Sequence, residues 1–283
     1  MKWYTPYLSD YEKPYEEASH ATKEKVRFHL KKLNEVQHPT VSVVAIAHNE
    51  GRHILSCLYS LCRNITDMPY EIIVVDNLST DNTREVLTDL GVTWYAEEKK
   101  GPGHARNCGL AHARGEYYLC IDADSIYPPY YIETMVRALD HKGVACCYAL
   151  WSFIPDEGHS PFQLWIYETL RDCYLRLQNI KRPELNVRGM VFAFRTELGR
   201  QLQFRTDILR GEDGSLALAM KPYGKLKFVT NRKARILTNN NTMKAAGSIY
   251  QSFFLRVRKM LGGIGGLFRS KSEYKDEENN LIK

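Results

Sequence analysis

Residues Val41–Ala47 read VSVVAIA, a run in which β-branched and small apolar side chains leave no polar face. A strand of that kind is covered on both sides, as in a parallel sheet flanked by helices. The next segment spaces Ile54, Leu55, Leu58, Leu61 and Ile65 three or four residues apart, the period of an amphipathic helix. Tyr70–Val75 repeats the strand pattern and stops at Asp76, and Ser79, Asp81, Asn82 and Thr83 then supply N-cap chemistry for a helix running to Leu90. A short strand at Trp94–Ala96, a loop at 97–103, a helix through Ala113 closed by Gly115 and a strand at Glu116–Ile121 complete the series. Strand and helix alternating through short connections predict an α/β fold, Rossmann-like, with a mostly parallel sheet flanked by helices. Ligands of such sheets sit beyond the carboxyl ends of the strands. Asn49, Glu50, Asp76, Asn77, Asp122 and Asp124 all fall at those ends.

The rest of the chain divides around this unit. Glu16–Val36 carries Val26, Leu30 and Leu33 at helical spacing before Pro39, so residues 1–38 read as an N-terminal helical appendage. The main domain spans 39–245, in two halves at 39–143 and 144–245. The pattern loosens after Trp151: a helix is predicted at Pro161–Asn179, a strand at Val187–Arg195, a helix starting at Glu212-Asp213 and a last strand at Leu226–Val229. Residues 246–283 form a basic amphipathic C-terminal appendage.

Composition narrows the function. With 44% hydrophobic and 25% charged residues the chain suits a soluble globular protein. No uninterrupted apolar run is long enough to span a bilayer and the N-terminus lacks a secretory core, so a cytoplasmic location is expected. The seven cysteines lack CxxC spacing and read as packed, reduced thiols. The nine histidines show no zinc-binding spacing. The net charge of +6 is concentrated in 244–271, which holds basic residues and no acidic one, and this argues against a nucleic-acid partner. Within it, 248–271 interleaves Phe253, Phe254, Leu255, Leu261, Ile264, Leu267 and Phe268 with basic residues, a pattern suited to peripheral contact with the inner face of the cell membrane. The alternative is that this apolar face packs on the domain.

Four clusters carry candidate chemistry. Asp122-Ala123-Asp124 ends a buried strand, and two carboxylates one residue apart are hard oxygen ligands suited to Mg²⁺ or Mn²⁺. Gly101-x-Gly103-x-Ala105-Arg106-Asn107-x-Gly109 opens a helix, where backbone N–H groups and the helix dipole favour an anion and Arg106 can pair with phosphate or stack on a base. Asp76 and Asn77 can bond the imide edge of a pyrimidine or ribose hydroxyls, while Ser79 and Asp81 serve mainly as caps. Gly211-Glu212-Asp213 offers a carboxylate as general base, or acids that merely stabilise a helix N-terminus.

In order and spacing, the blocks VSVVAIAHNE, EIIVVDNLSTDNT and GPGHARNCGLAHARGEYYLCIDADS resemble the inverting GT-A glycosyltransferases of family 2, and RGMVFAFR and GEDGSLALAM extend the resemblance to about residues 41–237. The resemblance implies a GT-A fold and transfer of a sugar from a nucleotide-sugar donor, UDP-sugar favoured, to a hydroxyl of a cell-envelope glycan or lipid-linked acceptor. It implies that Asn49 and Glu50 line the nucleotide pocket, that Asp76 and Asn77 contact base or ribose, and that Arg106 reaches base or phosphate. Asp122 would hold ribose and a divalent cation (Mn²⁺ or Mg²⁺), Asp124 would be the main metal ligand, Asp213 the general base and Glu212 its support. The chain departs from the pattern in three ways. Asn77 stands where many relatives have Asp. No histidine follows His159, leaving the Asn239–Asn241 run or water as the remaining metal ligand. The QxxRW signature of processive synthases is absent, which favours transfer of single sugars. Two other functions fit an α/β core: a nucleotidyltransferase, although HNEGRH replaces the phosphate loop that class needs after its first strand, and a non-catalytic nucleotide-sugar-binding protein, against which Asp122, Asp124 and Asp213 argue.

Overall fold

The computed structural model describes residues 2–155 and 160–239. The predicted C-terminal appendage, with its membrane-contact segment, lies outside the described residues.

Strands β1 (Val41–Ala47), β2 (Tyr70–Asn77), β3 (Thr93–Glu97) and β4 (Tyr117–Asp122) alternate with helices α3 (Ile54–Cys62), α4 (Thr83–Leu90) and α5 (Pro102–His112). They form the parallel part of a seven-stranded sheet ordered β3-β2-β1-β4-β8-β6-β9, where β6 is Val144–Ala149, β8 Phe192–Arg195 and β9 Lys225–Val229. Only β8 runs antiparallel to its neighbours β4 and β6.

Alternation along the strands explains why they show no polar face. Val43, Ala45, Ile72, Val74, Leu119 and Ile121 point to one side, into a core with Leu58 of α3 and Leu87 of α4. Val44, Ile73, Val75, Tyr118 and Cys120 point to the other, against Ala105 and Leu110 of α5. Burying each such side chain contributes roughly 1.5–3 kcal/mol, so the two-sided sheet is the main support of the fold.

The N-terminal residues are part of the first core. Helix α1 (Thr5–Leu8) sets Tyr7 edge-on against Tyr59, and α2 (His20–Asn34) buries Val26 and Leu30 completely. The helix expected at Glu16–Val36 is therefore present in shortened form, since Asp10 accepts from Ser19 N (3.1 Å) and Thr22 Oγ1 (2.8 Å) and fixes its start.

Elements of the second half differ more from expectation. Helix α6 (Tyr131–Leu139) lies after Pro128-Pro129, where the sequence suggests a helix, whereas strand β6 has no counterpart in the sequence reading. The strand expected at Val187–Arg195 is reduced to β8, because 3₁₀ turns occupy Pro183–Asn186 and Gly189–Val191. Helix α7 (Pro161–Lys181) and α9 (Glu212–Met220) lie where predicted, with α8 (Thr196–Leu202) between them. Strand β9 is not the last. A second sheet orders β5 (Ser125–Ile126), β10 (Ile236–Thr238) and β7 (Trp151–Phe153). All seven cysteines are free thiols, and no described helix is long and apolar enough to cross a membrane.

Candidate active site

Parallel register brings the chemistry to one edge. Ile46 pairs with Asp122 and Ala47 with Asp76, so the two acids flank the end of β1. A cleft of about 1400 Å³ opens there, lined on one wall by His48, Glu50, Asn77, Lys100, Arg106, Asp122 and Asp124, and on the other by Arg182, Arg188, Gly189, Arg210, Glu212 and Asp213. The antiparallel pairing of Thr238 with Ser125 carries the chain on to Asn239 beside Asp124, and Asn239 Nδ2 donates to Asp124 Oδ2 at 2.7 Å.

Arg106 is the electrostatic centre. Its side chain is only 2% exposed, with Nη2 2.7 Å from Asp122 Oδ1 and Nε 3.2 Å from Asp213 Oδ1 and 4.0 Å from Glu212 Oε1. One guanidinium thus joins the two walls of the cleft. Its own pKa is driven well above the ordinary value by Asp213 and Asp122, which outweigh burial. Gly189 makes this approach feasible: a Cβ there would lie 1.8 Å from Arg106 Nη2 and 2.8 Å from Asp213 Oδ2. The Gly189 amide also donates to the Asp213 carboxylate.

Burial raises the acids on both sides of the cleft. Burial, then the Asp213 charge, pushes Glu212 up to about 8. Burial and the Asp122 charge also raise Asp213, but Arg106 and a hydrogen bond from Glu212 oppose the rise. Glu212 donates a hydrogen bond to the Asp213 carboxyl group. On the facing wall, burial and the charges of Asp122 and Glu50 push Asp124 up to about 7. Its side-chain partners are neutral, Ser125 Oγ at 3.1 Å and Asn239 Nδ2 at 2.7 Å.

A divalent cation fits this donor set. Asp122, Asp124 and Glu50 crowd negative charge into one corner, and among the described residues no lysine or arginine pairs with Asp124. No group of three or more His, Cys, Asp or Glu side chains there is arranged to hold a metal on its own. Asp122 and Asp124 could supply the one or two protein carboxylates that Mg²⁺ takes alongside water and substrate phosphates.

Several residues expected to touch the donor hold the protein's own chain instead. Asn49 has φ +59° and its Oδ1 accepts from Thr80 N (2.7 Å) and Asp81 N (3.3 Å), so it braces the turn after β2 and does not line the cleft. Ser79 accepts from Asn49 N at 2.9 Å and caps no helix. Asn77 reaches the cleft, but its Nδ2 donates to Glu97 O (3.0 Å) and Lys99 O (2.8 Å) and its Oδ1 accepts from Gly101 N (3.1 Å). Asp76 is fully buried against Arg84 Nε at 2.6 Å, leaving Oδ1 without a partner, next in the strand to the cleft residues Asn77 and Leu78. Arg106 is engaged by Asp122 and Asp213 where a phosphate or base was expected. Tyr11, which donates to the Asp124 carbonyl at 2.7 Å, carries no local signal of its role.

Carboxylates at a strand end of a mostly parallel sheet, facing an acidic helix N-terminus across an open cleft, define a GT-A transferase architecture. The chain belongs to glycosyl transferase family 2, whose sequence profile matches residues 42–201. Among curated relatives, the glycosyltransferase GlyG of Streptococcus pneumoniae is 33% identical over 36% of this chain and 36% of its own. The putative teichuronic acid biosynthesis glycosyltransferase TuaG of Bacillus subtilis is 26% identical over 48% of this chain and 59% of its own. The match thus spans about a third of the first relative's length. Solved structures share the fold. TarS of S. aureus with UDP has a TM-score of 0.55 at 20% identity, covering 71% of this chain and 60% of that one. The mannosyltransferase PcManGT of Pyrobaculum calidifontis with GDP-Man and Mn²⁺ scores 0.54 at 22% identity, covering 84% and 72%. The glucosyl-3-phosphoglycerate synthase of Mycobacterium tuberculosis, with Mn²⁺, UDP-Glc and glycerol 3-phosphate, scores 0.51 at 20% identity, covering 82% and 84%.

Proposed function

We propose that this glycosyltransferase is a metal-dependent, inverting enzyme that moves a hexosyl or hexosaminyl unit from a nucleotide-sugar to a hydroxyl of a cell-envelope glycan or lipid-linked acceptor. The observation that carries this reading is the Asp122–Arg106–Asp213 bridge, which sets a donor-side carboxylate and a buried base on opposite sides of one cleft.

Asp213, hydrogen-bonded by Gly189 N–H and Glu212 and facing the Arg106 guanidinium, accepts the proton of the acceptor hydroxyl as its oxygen attacks the anomeric carbon. Attack from the acceptor wall with the nucleotide leaving toward the donor wall inverts the configuration, and one base suffices. Asp122 and Asp124 would hold the cation, which when bound would supply neutralising charge for the diphosphate leaving group. The neighbouring Asn239 is the candidate for a further ligand, its amide being a side chain that can turn either end toward a cation. The orphan acceptor Asp76 Oδ1 suits the imide N–H of uracil and favours a UDP-sugar; TarS and the mycobacterial synthase bind UDP compounds. Arg182, Arg188 and Arg210 line the acceptor wall and favour an acceptor bearing negative charge, such as a phosphate-linked lipid. Contact of residues 248–271 with anionic membrane belongs to the same proposal, and loss of liposome binding on deleting 245–283 is its expected outcome.

The test is proton NMR of donor turnover with UDP-Glc, UDP-GlcNAc and GDP-Man in the presence of Mn²⁺. An α-linked donor should yield a β-configured product at first appearance. A product that appears first as the α-anomer overturns the inverting mechanism, and turnover that is insensitive to chelation overturns the metal requirement.

A further inference from the structure

The family match begins at residue 42, yet a residue far upstream of it reaches the candidate metal corner. Tyr11 Oη donates to the backbone carbonyl of Asp124 at 2.7 Å, and the Asn239 amide also hydrogen-bonds that hydroxyl. The Tyr11 ring lies 4.9 Å from the His53 imidazole, and His53 Nδ1 is 2.7 Å from Glu50 Oε2. One side chain therefore touches the turn that bears Asp124 and, through His53, the loop that bears Glu50.

The segment that presents Tyr11 is itself fixed. Tyr7 is anchored on Tyr59 at 5.1 Å between ring centroids, and Asp10, 4% exposed, is bonded to Ser19 and Thr22. Two residues after Asp10, Glu12 adopts φ +66°, a left-handed conformation that L residues rarely take. Such a conformation persists where surrounding contacts over-determine it. Here it turns the chain away immediately after Tyr11.

We propose that Tyr11 is a positioning residue for the cation site: the docked N-terminal segment holds the 122–126 turn and the Glu50 loop in fixed relation, so the carboxylate corner is complete only when that segment is in place. The proposal rests on the metal reading above, and its test separates the two. Tyr11→Phe removes the hydroxyl and keeps the ring. Tyr15→Phe is the control, because the Tyr15 hydroxyl bonds Asp89, outside the residues lining the cleft.

Uptake of Mn²⁺ by the full chain in the presence of saturating UDP is followed through loss of the free-ion paramagnetic resonance signal beyond that caused by UDP without protein, with melting temperature measured alongside. Groups that orient metal ligands are worth about 10- to 100-fold in metal affinity or activity, and Y11F is expected to weaken Mn²⁺ binding about tenfold. Y15F should bind as the wild type does, and both variants should melt close to it. Equal Mn²⁺ affinity of Y11F and wild type overturns the proposal, as does equal weakening in Y11F and Y15F, which would reflect general loosening of the segment. A wild-type protein that takes up no Mn²⁺ removes the metal reading itself, and the inference with it.

Discussion

Replacing Arg106 with methionine tests the bridge across the cleft while keeping most of the side-chain volume. The guanidinium is 2% exposed and lies 2.7 Å from Asp122 and 3.2 Å from Asp213. Breaking a buried ion pair from one side costs about 3–5 kcal/mol, because the partner's charge stays buried without compensation. At 1 kcal/mol per roughly 2–4 °C for a domain of this size, the variant should melt about 10 °C below wild type at pH 8. The pH dependence has a definite sign. Asp213 is already raised by burial and by Asp122, and loss of Arg106 raises it further. A carboxyl whose folded pKa exceeds its unfolded one binds more protons when folded, so stability falls as pH rises between the two values. The deficit should therefore be small at pH 5 and full at pH 8, and the acid limb of the pH–rate profile should move to higher pH. Melting curves at the two pH values decide the matter. A variant within about 2 °C of wild type at pH 8, or one that loses more at pH 5, refutes the bridge as a charge-compensating device.

Asp213→Asn should cut kcat by about 10²–10⁴, the usual contribution of a general base, while nucleotide-dependent thermal stabilisation stays as in wild type. Gly189→Ala places a Cβ 1.8 Å from Arg106 Nη2, so it should lower melting temperature and turnover together; wild-type values for both would show that the turn has room to shift. Mn²⁺ affinity should fall as pH drops below about 7, where Asp124 takes up a proton that must leave before the cation binds, and titration calorimetry in buffers of different ionisation enthalpy should register that proton release.

The first half of the fold was legible because β1, β2 and β4 are buried on both faces, which leaves an unmistakable apolar run between polar turns. The second half was less so. The VACCYA strand β6 relies on small and cysteine side chains with little β preference, and β5, β7 and β10 are too short to show any period. At Val187–Arg195 the apolar pattern suggested one strand, but Gly189 must pass close against Arg106 and Asp213, and that contact turns the backbone. The acids at the strand ends were visible as candidates, since their position follows from topology alone. The duties of Asn49 and Asn77 were not, because an amide serves a backbone turn as well as a ligand. Tyr11 was beyond reach: it acts across 113 residues of chain, with nothing in its own neighbourhood to mark it.

The central claim is that Asp122 and Asp124 bind a cation together with a nucleoside diphosphate. Its most direct measurement is the melting temperature of wild type and Asp124→Ala with UDP, UDP-sugars and GDP-sugars, each with and without Mn²⁺, since a ligand raises stability in proportion to the logarithm of its excess over Kd. The account predicts a nucleotide-induced rise that grows with Mn²⁺ in wild type and loses its Mn²⁺-dependent part in the variant. An identical Mn²⁺-dependent rise in both proteins would contradict it.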